Sequence, residues 1–138
     1  MRNERDKGIG RLLDANFNRA KEGMRVCEDI CRYILDARAS TRSYKEIRHR
    51  LTAIAGELRI AKLLNTRNVS GDVGVGSSLP EFSRSNTADI FFANSQRVKE
   101  SLRVLEEFAK LKNKRSAQQL KQLRYRAYTL EQKTSQRL

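Results

Sequence analysis

One proline, seven glycines and no tryptophan stand in a chain of 138 residues. That is too few turn-formers for an all-β sandwich or barrel with its many tight connections. Histidine and cysteine are almost missing as well. His49 is the single histidine and Cys27 and Cys31 are the two cysteines, a set short of the four good ligands that a structural zinc site needs. The two cysteines are four apart, beside Ala20 and Met24 on one helix face, and read as core; a disulfide within one helix at that spacing is geometrically poor. Apolar runs extend only a few residues, against the ~20 needed to cross a bilayer. No apolar stretch follows the charged start at Met1–Lys7 to serve as a secretory signal, so the expected compartment is the cytoplasm.

Acid is the other shortage. Lys and Arg number 29 against 16 Asp and Glu, a net charge of +13, which predicts an anionic partner. Nucleotides, phosphorylated metabolites, RNA and acidic membranes all qualify. The excess is greatest from Lys110 to Leu138, where Glu131 is the only acid.

What is present is helical periodicity. Leu, Ile, Val and Phe make up about a quarter of the chain, enough to fold, and 138 residues is the length of one domain. An apolar stripe of Leu13, Phe17, Ala20, Met24, Cys27, Cys31, Ile34 and Leu35 predicts a helix over about 10–36. A capping box at Ser43–Glu46 followed by Ile47, Leu51, Ile54, Leu58 and Ala61 predicts a second, to about 64. A loop over 65–85 contains Gly71, Gly74 and Gly76, and Ser78 to Glu81 could cap one short turn within it. Ile90, Val98, Leu102, Leu105, Phe108 and Ala109 predict a third helix over about 87–111. Leu120, Leu123, Ala127 and Leu130 predict a fourth over about 116–135.

The two halves resemble each other. Residues 15–29 align without a gap on 93–107, with identities at Asn16/Asn94, Arg19/Arg97, Lys21/Lys99, Glu22/Glu100, Arg25/Arg103 and Glu28/Glu106 among others. Residues 45–50 likewise match 121–126, pairing Arg48 with Arg124 and Arg50 with Arg126. Asparagine is a poor helix-interior residue, so composition alone does not explain Asn16 and Asn94 on apolar sides. The expected architecture is a single all-α domain over 1–138. It is an antiparallel four-helix bundle of two duplicated hairpins, about 10–64 and 87–135, joined by the glycine-containing loop.

The repeat carries polar residues beside the core. Asn16, Arg19 and Gly23 form one notch, and Asn94, Arg97 and Ser101 a second. These fix helix register through hydrogen bonds, or they bind an anion, since guanidinium matches phosphate oxygens bidentately. Arg48 and Arg124 flank the stripes of the second and fourth helices. The glycine loop is neither a Walker A nor a dinucleotide motif; it is a plain linker or a binding element in which Asp72 could hold magnesium. His49 is a surface residue or, between Arg48 and Arg50, a ligand-facing one.

Asp14-Ala-Asn16-x-Asn-Arg19-x-x-Glu22-Gly-x-Arg25-x-x-Glu28-Asp29 resembles, together with Arg48-His49, Gly71-Asp72-Val-Gly74, Asn94-x-x-Arg97, Arg103-x-x-Glu106-Glu107 and Leu123-Arg124-Tyr125, a known helical domain. It is the hydroxymethylpyrimidine phosphate kinase domain found N-terminal to thiamine phosphate synthase in some bacteria. The likeness covers about 12–132. It implies transfer of the ATP γ-phosphoryl group to 4-amino-5-hydroxymethyl-2-methylpyrimidine phosphate in thiamine biosynthesis, with Mg²⁺ as cofactor. Carried onto this chain, it implies phosphate or substrate contacts from Asn16, Arg19, Glu22, Arg25, Arg48, Arg67, Asn94, Arg97, Arg103 and Arg124. Asp29 and Asp72 would hold the metal, and His49 and Asp72 are the candidate catalytic residues. Implied partners are ATP, the phosphorylated pyrimidine and a thiamine phosphate synthase, with a homodimer left open and no membrane. The competing expectation is a basic helical module that binds nucleic acid or docks a partner without catalysis.

Overall fold

The computed structural model describes residues 2–76 and 83–138. Among them all regular structure is helical. Helix α1 (Arg2–Asp29) runs on into a π-helical turn, Ile30–Ile34; α2 is Arg38–Glu57; a 3-10 segment covers Ile60–Thr66; α3 is Thr87–Ala109 and α4 is Lys114–Ser135. The turn expected at Ser78 to Glu81 lies outside the described residues.

Several boundaries differ from the periodic reading, each for a local reason. α1 starts eight residues early because its first two turns are charged and exposed, with Lys7 paired to Glu4 at 3.4 Å, and have no apolar stripe to announce them. At its other end, Leu35 N–H donates to Ile30 O at 3.0 Å and Ala37 N–H to Cys31 O at 2.8 Å. The wider π turn rotates Ile34, expected on the stripe, out to 58% exposure. Asp36, at φ 49°, then reverses the chain. α2 begins before the capping box, since Thr41 satisfies Ala37 O with both its N–H and its hydroxyl. It ends early at Arg59, a non-glycine residue at φ 55°, after which the chain tightens into the 3-10 segment and lays Leu63 and Thr66 against Gly10 of α1. Asparagine caps start the last two helices: Asn86 accepts from Asp89 N–H while Asp89 accepts from Ser85 N–H, and Asn113 accepts from Arg115 and Ser116 N–H.

α1 packs chiefly on α3 and α2, and α4 on α3 and α2. Asn16 lies near Ser101 and Val104, Gly23 near Asn94 and Val98, and Cys27 near Phe91, so α1 and α3 run in opposite directions. The pairs Glu106 with Arg124 and Ser95 with Glu131 set α3 against α4 in the same way. Glu57 with Ser116 and Glu46 with Arg126 do so for α2 and α4. Leu13, Met24, Ile47, Leu51, Leu102, Leu105, Leu120 and Leu123 fill the shared interior. On α3 the anchoring residue is Phe91, fully buried, whereas Ile90 is 38% exposed. Gly23 is the closest point between α1 and α3, where a Cβ would stand 2.9 Å from both Asn94 O and Val98 Cγ2.

Cys27 and Cys31 are buried free thiols, as their spacing implied. Desolvation pushes the Cys27 thiol from its ordinary 9.0 up to about 12, and burial also raises Tyr44 and Cys31. The folded state thus keeps protons that the unfolded chain gives up. The resulting stability is complete below the unfolded value and is lost as pH rises through the folded one. We expect the melting temperature to fall as pH is raised from about 8 to about 10, and the fall to be shallower in Cys27→Ala. A pH-independent midpoint over that range would contradict the assignment.

Candidate phosphate-binding cleft

The exposed face of α1 and the start of the loop enclose a cleft of about 870 Å³ lined by Arg11, Asn16, Arg19, Glu22, Arg67 and Asp72, among others. Asn16, Arg19 and Val104 also line an adjoining recess of about 460 Å³, whose other walls include Arg84, Arg97 and Ser101. The two spaces therefore meet over Asn16 and Arg19. Asn16 is 5% exposed and donates its amide N–H to Leu12 O at 2.9 Å. Asn94 repeats the bond, donating to Ile90 O at 2.8 Å. In each case the side-chain amide bonds back one turn, which orients it on the helix.

The repeated arginines divide into two groups. Glu28 and Glu106 are buried at 3% and 4% exposure. Arg25 Nη1 and Arg48 Nη2 donate to Glu28 at 2.7 and 3.3 Å. Arg124 Nε donates to Glu106 at 2.9 Å, and Arg103 approaches the same carboxylate at 3.9 Å while bonding Glu107 at 3.1 Å. Donating hydrogen bonds to these carboxylates raises Arg25 and Arg124 above the ordinary arginine value. Two matching triads thus tie α1 to α2 and α3 to α4. Arg19 and Arg97, by contrast, make no hydrogen bond or ion pair among the described residues. Both are exposed, and both line the same recess.

Of the residues expected to act together, the cleft and its recess collect Asn16, Arg19, Glu22, Arg67, Asp72 and Arg97. They do not collect Arg25, Arg48, Arg103 or Arg124, which occupy the triads, nor Asp29 or Asn94. His49 lines a separate recess between α2 and α4 with Glu46, Glu57 and Arg126. Arg67 is fixed by Asp14, Nε to Oδ2 at 2.6 Å and Nη2 to Oδ1 at 3.0 Å, which pins the loop to α1 and leaves Nη1 without a bond among the described residues. Arg11 and Arg84 were not singled out from sequence, and Asp14 appeared there only within the family motif. Arg11 stands two turns before Arg19 inside the helix expected over about 10–36, so the helical period already placed the two on neighbouring faces.

The magnesium expectation can be tested on the donors. Among the described residues no three His, Cys, Asp or Glu side chains cluster. Asp72 accepts from Gly74 N–H at 2.9 Å through Oδ1, and Glu22 shares its cleft. Two hard carboxylates beside a phosphate-sized space fit an ion held mainly by its nucleotide, as Mg²⁺ usually is. No described helix is long and apolar enough to cross a membrane.

Comparison with known proteins fits this arrangement into a lineage. The profile of the ThiD2 family matches residues 11–133. The chain belongs to the ThiD2 family. It is 42% identical over 125 residues to the thiamine-phosphate synthase of Nostoc sp., covering 89% of this chain and 34% of that protein. The thiamine-phosphate synthase of Synechocystis sp. is 41% identical over the same length, at 89% and 35% coverage. That of Rhodopirellula baltica is 34% identical over 129 residues, at 93% and 34%. This ThiD2 chain therefore spans about a third of the length of the relatives it matches. No solved structure matches it significantly.

Proposed function

We propose that this ThiD2 chain acts in thiamine biosynthesis as a kinase, transferring the γ-phosphoryl group of ATP to 4-amino-5-hydroxymethyl-2-methylpyrimidine phosphate. The observation that carries the reading is the pairing state of the repeated arginines. Arg19 and Arg97 come from corresponding places in two halves, line one recess and have no carboxylate partner among the described residues, whereas Arg25, Arg48, Arg103 and Arg124 are tied to acids. Acids are near, with Glu22 and Asp72 in the cleft and Glu100 in the recess, but a guanidinium that forms no ion pair with them among the described residues is suited to phosphate. We read the matching triads and asparagine bonds as the mark of a copied hairpin, closed into an antiparallel four-helix bundle.

Phosphoryl transfer asks for alignment and charge neutralisation more than for a protein nucleophile. The acceptor here is itself a phosphate monoester, whose second ionisation lies near ~6, so at neutral pH it presents a ready oxyanion. Its oxygen forms the new bond to Pγ while the bond from Pγ to the β,γ-bridging oxygen breaks and ADP leaves. No proton has to be removed. That accounts for a site with no general base at its centre and makes His49, in its separate recess, dispensable for the chemistry. Arg19, Arg97 and Arg67 would neutralise donor and acceptor phosphates and Asn16 would orient the group between them. Asp72 with Glu22 would hold Mg²⁺, which when bound supplies charge neutralisation at the β- and γ-oxygens.

Purified protein given Mg·ATP and the pyrimidine monophosphate is expected to release ADP and the pyrimidine diphosphate in equal amounts. ADP release that does not depend on the pyrimidine refutes the kinase. Tight RNA binding that collapses with added salt, without turnover, would instead favour the nucleic-acid module.

A further inference from the structure

The second recess on α1 is of a different kind. It measures about 610 Å³, lies between α1, α2 and the 3-10 segment, and has Phe17, Thr52, Ala55, Ile60 and Leu64 in its walls. Lys21 Nζ stands 5.4 Å from the centre of the Phe17 ring. Asp14, Asn18 and Arg67 line this recess and the phosphate cleft alike, so the two spaces share a wall.

The corresponding place in the second half carries a bonded polar cluster instead. By the repeat, Phe17, Lys21, Thr52 and Ala55 correspond to Ser95, Lys99, Tyr128 and Glu131. There Ser95 hydrogen-bonds Glu131, Lys99 pairs with Glu131 at 2.9 Å, and Lys99 lies 4.7 Å from the centre of the Tyr128 ring. Tyr128 and Glu131 stand where the first half has the smaller Thr52 and Ala55, and Ser95 stands where it has Phe17. The apolar residues Ile60 and Leu64, which complete the first recess, come from the 3-10 segment, and the alignment of the halves gives them no counterpart.

We infer that the open recess of the first half seats the flat, amino-bearing heteroaromatic ring of the acceptor, with its phosphate arm turned across the shared wall into the cleft. This rests on the kinase reading above. Aliphatic walls and the edge of Phe17 suit an uncharged ring. Asn18 donates its amide nitrogen to Asp14 O at 2.9 Å, which leaves its own oxygen to accept from an exocyclic amino group. Thr52 is likewise committed as a donor, to Arg48 O at 3.1 Å, and its oxygen can accept. The arm meets Lys21 and Arg67 Nη1, which has no bond among the described residues. A ring one carbon away from its phosphate fits a wall shared between the two spaces; an adenine, held off from its phosphates by a ribose, does not.

The test fills the recess from positions that the fold tolerates. Thr52 is exposed, and a Cβ on Gly56, which also lines the recess, meets nothing within 4 Å. Titrations of 4-amino-5-hydroxymethyl-2-methylpyrimidine, with and without its phosphate, are measured on the wild-type chain, Thr52→Tyr and Gly56→Leu. Both variants are expected to weaken binding of both pyrimidines at least tenfold, while inorganic tripolyphosphate binds as in the wild type. Unchanged pyrimidine binding in both variants overturns the inference and leaves the kinase reading standing. Loss of ATP binding instead of pyrimidine binding also overturns it. Pyrimidine binding that depends on Thr52 and Gly56 in a protein without turnover upholds the ring seat and refutes the kinase.

Discussion

Arg19→Ala and Arg97→Ala each lower turnover by about 10²- to 10³-fold, the usual loss when one preorganised donor is taken from a developing anion, and leave the melting temperature where it was. The reason is the asymmetry of their surroundings. Neither guanidinium is bonded to the protein among the described residues, so neither contributes an ion pair to the folded state. The matched control is Arg25→Ala, which stands in the same repeat but bonds Glu28 from an exposed position; its turnover should stay within a few-fold of the wild type. Steady-state kinetics with thermal melts on the three variants decide the matter. Equal losses in all three would return the triad arginines to the site and remove the distinction on which the kinase reading stands.

Glu28→Ala is expected to be the most destabilising single change in the molecule outside the apolar core. It leaves Arg48, whose side chain is only 15% exposed, without its acid in the seam between α1 and α2. Breaking a buried pair from one side costs about 3–5 kcal/mol, equivalent to roughly 10–20 °C in melting temperature for a domain of this size. Glu106→Ala should behave the same way through Arg124, whose side chain is 12% exposed. A double-mutant cycle gives the sharper reading. Adding Arg48→Leu to Glu28→Ala should recover much of the loss, because no stranded charge then remains. A drop under about 1 kcal/mol in the single variant would mean that the triads are surface decoration of the ordinary kind.

The helices were legible from sequence because apolar side chains recur with the helical period wherever α1 to α4 face the interior. Their ends were less so. Arg59 and Asp36 turn the chain at positive φ without glycine, and the π turn at Ile30–Ile34 shifts register with no residue to mark it. The repeat gave Asn16, Arg19, Arg97 and the two glutamates by identity alone. Identity could not separate them by surroundings, since an arginine tied to an acid and one without such a partner look alike until the fold is visible. Burial of Glu28 and Glu106 was hidden for a related reason: on a helix so rich in charge, an acid next to the stripe resembles a solvated one. Arg67 and Asp14, 53 positions apart, meet only because the 3-10 segment folds back on α1.

Gly23 sits one turn beyond Arg19 and lies against the backbone of α3 three residues before Arg97, so a missing methyl group sets how closely the two helices approach there. A bulkier residue would act like a shim between two jaws, pushing α3 off α1 and carrying Arg97 away from Arg19 with it. The spacing of the two arginines thus hangs on a residue that carries no charge and makes no hydrogen bond with its side chain.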